Sequence, residues 1–152
     1  MVAMNSWIID NDILQNVQSG IRTVENTTWG SAIVENRIQN NGADGITDGA
    51  GFNLIHNNDI RNNHNSGVHE HAGIGYAGII KNVLAHNLKN GVNLNTNGSI
   101  VRNSVIQNNK RTGIRIQGNV NTVEQNKISN NRHYGILLTM QAECTRRRPH
   151  FT

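Results

Sequence analysis

Residues 58–68 read NDIRNNHNSGV, and residues 36–46, one interval earlier, read NRIQNNGADGI. Both carry asparagine first, isoleucine third, asparagine sixth, and a glycine followed by a β-branched residue at the end. Residues 103–114, NSVIQNNKRTGI, and 126–136, NKISNNRHYGI, repeat the pattern. With the glycine as anchor, six units align on Gly20, Gly45, Gly67, Gly91, Gly113 and Gly135, at intervals of 25, 22, 24, 22 and 22 residues. Seven before each anchor stand Ile13, Ile38, Ile60, Leu84, Ile106 and Ile128. Twelve before stand Ile8, Ile33, Ile55, Ile79, Val101 and Val123. Four before, the residue is asparagine in every unit, and nine before it is asparagine in every unit except at Ser104.

A period in this range is the signature of a stacked repeat. Short β-branched runs broken by Asn and Gly read as strands joined by tight turns, because those two residues tolerate left-handed backbone. One such unit cannot bury its own apolar face, but stacked units can. Turns then sit about 4.8 Å apart, with isoleucine over isoleucine inside and asparagine over asparagine at the corners. A side-chain amide both donates and accepts, so an asparagine column can hydrogen-bond along the axis. The expected fold is all-β: a right-handed parallel β-helix solenoid of about six turns of roughly 22 residues. Its expected extent is residues 1–142 as one domain, with 143–152 a basic C-terminal tail.

Composition narrows the function. The net charge of +4 includes Arg146, Arg147 and Arg148 of the tail, which leaves little basic charge for the body and argues against a nucleic-acid partner. The single cysteine, Cys144, excludes a disulfide framework. No apolar run reaches the roughly 20 residues of a membrane span, and the opening MVAMNSW is not a signal peptide. The 27 asparagines accompany too regular an Ile/Val pattern for disorder.

These Asn-x-Ile … Asn … Gly-Ile units resemble the right-handed parallel β-helix family of carbohydrate-processing proteins, over about residues 7–140. That family includes pectate-lyase-like enzymes, mannuronan C5-epimerases and NosD-type proteins. NNGADGITDG (40–49) is similar to the NG-x-DG segment of the epimerase modules. The resemblance implies an acidic polysaccharide as partner, lyase or C5-epimerase chemistry if the chain is catalytic, and an extracellular or cell-envelope location. The epimerase signature Tyr-Gly-x-Asp-Pro-His is absent, so candidate residues must come from this chain's own irregularities. The different-class alternative is a non-catalytic structural or interaction segment. The repeat begins directly on a strand, and solenoid ends need covering. End-to-end packing or a longer parent chain is therefore expected.

The repeat breaks in one place. Three past the anchor, later units carry Leu94, Ile116 and Leu138, whereas the second and third carry Asp48 and Glu70. His69 and His71 flank Glu70, and Asp44 precedes Gly45. Three readings follow. Bulges turn the acids into solvent. Alternatively, the cluster is catalytic, with His69 or His71 taking the C5 proton of a uronate, Tyr76 as acid, and Arg22 or Lys81 neutralising the sugar carboxylate. Or Asp44, Asp48 and Glu70 supply the oxygen donors that calcium takes. Two past the anchor runs an outward polar strip that includes Arg22, His69, Asn93 and Arg115, extended by Asn95 and Gln117. Amides and guanidinium forks suit the hydroxyls and carboxylates of an extended glycan, and an outer strand face is polar in any case.

Overall fold

The computed structural model describes residues 3–4, 6–24, 28–71 and 75–139. The tail assigned to 143–152 lies outside the described residues. Each turn of the chain contributes one three-residue strand to each of three parallel six-stranded sheets. The first sheet is built from Trp7–Ile9, Ala32–Val34, Leu54–His56, Gly78–Ile80, Ile100–Arg102 and Thr122–Glu124. The second holds Asp12–Leu14, Arg37–Gln39, Asp59–Arg61, Val83–Ala85, Val105–Gln107 and Lys127–Ser129. The third holds Ile21–Thr23, Ile46–Asp48, Val68–Glu70, Val92–Leu94, Ile114–Ile116 and Ile136–Leu138. Ala3–Met4 pairs with Thr28–Trp29 beside them. Among the described residues no helix is long and apolar enough to cross a membrane.

The register follows the glycine anchors. Thr23 pairs with Asp48, Asp48 with Glu70, and Glu70 with Leu94. The two longer intervals, 25 and 24 residues, are absorbed at the corner from the third sheet to the first, so the ladders stay unbroken. Three apolar columns meet inside the rod. Ile33, Ile55 and Ile79 come from the first sheet, Ile38, Ile60 and Leu84 from the second, and Ile46, Val68 and Val92 from the third, all fully buried.

The corners are held by asparagine. In the column Asn16–Asn41–Asn63–Asn87–Asn109–Asn131, each Nδ2 donates to the Oδ1 of the next turn at 2.9–3.0 Å. Each backbone N–H donates to that same oxygen at 3.0–3.1 Å. From Asn41 onward the second amide proton reaches a core residue's carbonyl on the preceding turn, as from Asn87 to Ile60 at 3.2 Å. An interior asparagine of the column thus uses both acceptor sites and both amide protons.

The residue before each ladder asparagine is left-handed, whatever its type: Glu35 (φ 57°), Lys81 (φ 57°) and His86 (φ 58°) adopt it as Asn62 does (φ 56°). The anchor glycines, expected as turn residues, are not left-handed. From Gly20 to Gly113 their reason is space. A Cβ on Gly45 would stand 2.5 Å from Ile60 Cγ2 and 2.6 Å from the Gly67 carbonyl oxygen.

Two substitutions test the ladder in opposite directions. Asn87→Ala strands the Asn63 backbone N–H and amide, bonded to it at 3.1 and 3.0 Å. It should cost at least about 2 kcal/mol in urea denaturation, since each buried orphaned group costs about 1–3 kcal/mol. Ser104 accepts only the Asn82 backbone N–H, at 3.1 Å, so Ser104→Asn should complete the other column and add about 1 kcal/mol.

Candidate functional site

Strand alternation divides the sequence cluster in two. On Ile46–Asp48 and Val68–Glu70 the first and third residues face the core and the middle one faces out. Asp48 and Glu70 are therefore inside the rod, 2% and 1% exposed. No bulge carries them to solvent, because the ladder on both strands is continuous. His69 faces outward, and Asp44 stands with it. The three carboxylates assigned to calcium thus lie on opposite sides of a strand. Among the described residues no group of three or more His, Cys, Asp or Glu is gathered as a metal ion would need.

The inward acids have well-defined surroundings. Asp48 Oδ1 accepts from Thr23 Oγ1 at 2.5 Å, Asn53 Nδ2 at 2.6 Å and the Ala50 N–H at 3.2 Å. Glu70 Oε2 accepts from the Thr96 hydroxyl and from Ser99 Oγ at 2.7 Å. Asp48 Oδ2 and Glu70 Oε1 are buried without a hydrogen-bond partner among the described residues. Burial pushes Glu70 up to about 7, against the pull of the Thr96 and Ser99 hydroxyls and with the Asp48 charge adding to the rise. Burial likewise raises Asp48, opposed by its bonds to Thr23, Asn53 and Ala50.

The outward half is an open groove of about 500 Å³ along the third sheet and its entry corner. His69 lies in it, held at both nitrogens. Nδ1 is 3.4 Å from Asp44 Oδ2, and Nε2 is 3.2 Å from Asn95 Nδ2. With the amide donating to Nε2, the proton of the neutral ring sits on Nδ1 toward the carboxylate. Asp44 is fixed in turn: its Oδ1 accepts the Ser66 N–H at 2.8 Å, as Asn90 Oδ1 accepts the Thr112 N–H at 3.2 Å. The His71 ring is 5.6 Å from that of His69 and is exposed. His71 also lines an adjoining recess of about 270 Å³ with Arg22 and Thr47.

Of the residues expected to bind substrate, Arg22, Asn93 and Arg115 line the groove. Asn95 contacts His69, and Gln117 accepts from Arg115 Nη1 at 2.7 Å. Asn93 Oδ1 and Asn95 Oδ1 are buried without a partner among the described residues. Tyr76 and Lys81 are elsewhere. Tyr76 occupies the corner between the third and first sheets, its ring stacked on Phe52 (5.2 Å, 10°) and pressed against Gly98. Lys81 is a left-handed corner residue between the first and second sheets.

Two groove cations, Lys89 and Arg111, were missed. They stand two before their anchors on successive turns, and the Arg111 N–H donates to the Lys89 carbonyl at 2.9 Å. That column reads Gln18, Ala43, Asn65, Lys89, Arg111, His133, and its growing basic character was the available signal. A nearly neutral body therefore presents four cationic side chains, Arg22, Lys89, Arg111 and Arg115, around one groove.

A profile of the family described as "Right handed beta helix region" matches residues 71–146. A comparison with curated proteins finds no match. Among solved structures, the fold is similar to the crystal structure of a mutant of the periplasmic alginate epimerase AlgG. The TM-score is 0.72 and the identity 18%, over 95% of this chain and 40% of that one. A second AlgG crystal structure gives a TM-score of 0.66 at 16% identity, over 89% of this chain and 39% of that one. The chain thus spans about 40% of the length of these neighbours, and at such identity the likeness concerns the fold.

Asp44 has one oxygen for the backbone and one shared by His69 and the Thr47 hydroxyl, and substitution separates the two oxygens. Asp44→Asn keeps an acceptor for Ser66 and should leave the melting temperature within a degree or two. Asp44→Ala strands that buried N–H and should cost about 1–3 kcal/mol. Thermal denaturation of both variants reads the difference.

Proposed function

The chain belongs to the right-handed beta helix family, and on that premise we propose that its groove binds an acidic polysaccharide and abstracts the C5 proton of a bound uronate. The observation that carries this reading is the placement of four cations around an imidazole held between Asp44 and Asn95. A polyanion of repeating carboxylates is the ligand class that such spaced guanidinium and ammonium groups recognise.

A proton α to a carboxylate becomes removable when the developing charge on the carboxylate is neutralised. Arg22, which shares a recess with His71, supplies that charge. His69 is the positioned base: Asp44 at Nδ1 fixes its tautomer and stabilises the imidazolium, as a carboxylate does for other catalytic histidines. The sugar displaces the Asn95 amide from Nε2 to reach the lone pair. His71 replaces Tyr76 as the acid, since its ring is near and Tyr76 is at another corner. Return of a proton to the opposite face gives epimerisation, and loss of the O4 substituent gives a lyase product. AlgG, whose structure the fold resembles, is named an alginate epimerase, and this supports alginate as the first polymer to try.

Proton NMR of alginate, polymannuronate and polygalacturonate incubated with the protein tests the reading. Changed anomeric signals mark an epimerase and new olefinic signals a lyase. Either should vanish in His69→Ala, with binding retained. Arg22→Ala and Arg115→Ala should each weaken binding roughly tenfold, as loss of a charge-assisted contact does. Unchanged spectra with no line broadening on any of the three polymers would remove the uronan reading, and the non-catalytic segment would take its place.

A further inference from the structure

We propose that Asp48 and Glu70 share a single proton inside the rod, so that the joint between the second and third turns is strongest when that proton is present. The groove and its ligand play no part in this inference. Its basis is the geometry of two acids placed in direct register on neighbouring strands, both facing the core. Parallel neighbours in a ladder are about 4.8 Å apart, within reach of one carboxyl–carboxylate hydrogen bond.

The division of labour among the oxygens points the same way. Asp48 Oδ1 and Glu70 Oε2 are occupied by donors from Thr23, Asn53, Ala50, Thr96 and Ser99. Asp48 Oδ2 and Glu70 Oε1 are the two that have nothing to accept from. Two buried carboxylates this close cannot both ionise cheaply, and one proton between the two free oxygens satisfies both. Calcium would need about six to eight oxygen ligands, and the acids have one spare oxygen each.

Among the described residues no Lys or Arg side chain pairs with either acid. On the strand below stands Thr23, on the strand above Leu94. The other two sheets turn Ile55, Ile79, Ile60 and Leu84 inward. Among the described residues the charged groups that act on Glu70 are Asp48, which favours its protonated form, and His69, on the outer face of the same strand, whose effect favours the Glu70 anion. Arg22, the outward residue next to Thr23, faces the groove.

Glu70 is the more deeply buried and is pushed up to about 7 from the ordinary 4.5, so it is the acid that keeps the proton. An acid with a raised folded pKa holds more protons folded than unfolded throughout that window. Its contribution to stability is therefore full below about 4.5 and is lost as pH rises through about 7.

Urea denaturation of the whole chain across this window tests the proposal. The wild-type midpoint should fall as pH rises from about 4.5 to above 7, and Glu70→Gln, which carries a permanent donor in place of the proton, should flatten that fall. Infrared spectroscopy in the middle of the window gives a second readout on the wild type alone. A protonated-carboxyl band should be present there and absent from Glu70→Gln. A wild-type midpoint that does not fall, or a fall identical in Glu70→Gln, overturns the proposal, as does absence of the band. So does a midpoint above pH 7 that calcium or sodium raises in the wild type and not in Glu70→Gln, since a cation would then occupy the gap. Should Glu70→Gln not fold, the wild-type midpoint and band decide.

Discussion

Every turn of this rod is satisfied by the next. The strands of the three large sheets are three residues long, too short to persist alone, and they pair with neighbouring turns. Asparagine extends that ladder through the corners, where strand pairing would otherwise stop. Its amide repeats the backbone's own donor and acceptor pattern at the same spacing, so side chain and backbone lock to one period. The rest depends on this lock. It fixes the register, the register fixes which residues face in, and that decides which of the unusual side chains can meet a ligand.

The lock also explains why other positions are less constrained in type than in shape. Once the asparagine holds the corner, the preceding residue can be Glu, Lys or His in a left-handed conformation that costs roughly 1–2 kcal/mol. The anchor glycines from Gly20 to Gly113 are constrained by crowding instead: the chain there passes so close to the next turn that a methyl would meet a carbonyl oxygen. Two glycine functions that look alike in sequence, turning and yielding space, are separated by φ.

The period made the fold legible in the sequence, because inter-turn pairing copies sequence spacing directly into space. The stacking of Asp48 on Glu70 was legible for the same reason. Which side of the strand they occupied was the harder question. Charged residues at an apolar position can be accommodated by a bulge or by buried partners, and only the positions of Thr23, Asn53, Thr96 and Ser99 reveal the second. Lys89 and Arg111 stayed hidden because net charge averages over the surface, whereas a groove collects one face of it. Tyr76 was placed near the histidines by sequence proximity, but the corner turned it toward Phe52.

The inside and outside of one strand therefore carry two separate chemistries. Glu70 and His69 are neighbours in the chain, yet one faces a dry column of isoleucines and the other a wet groove. In the core a carboxyl is held by hydroxyls and amides and keeps its proton. On the groove side the largely buried carboxylate of Asp44 is bound by a backbone N–H and faces an imidazole. Electrostatic influence still passes between them, since His69 favours the Glu70 anion. A positive charge on the outer face of the strand weakens Glu70's hold on its proton. A groove lined by four cationic side chains thus lies on the other face of the strand from a buried acid pair. The coupling needs no moving part, only the strand thickness between the two side chains.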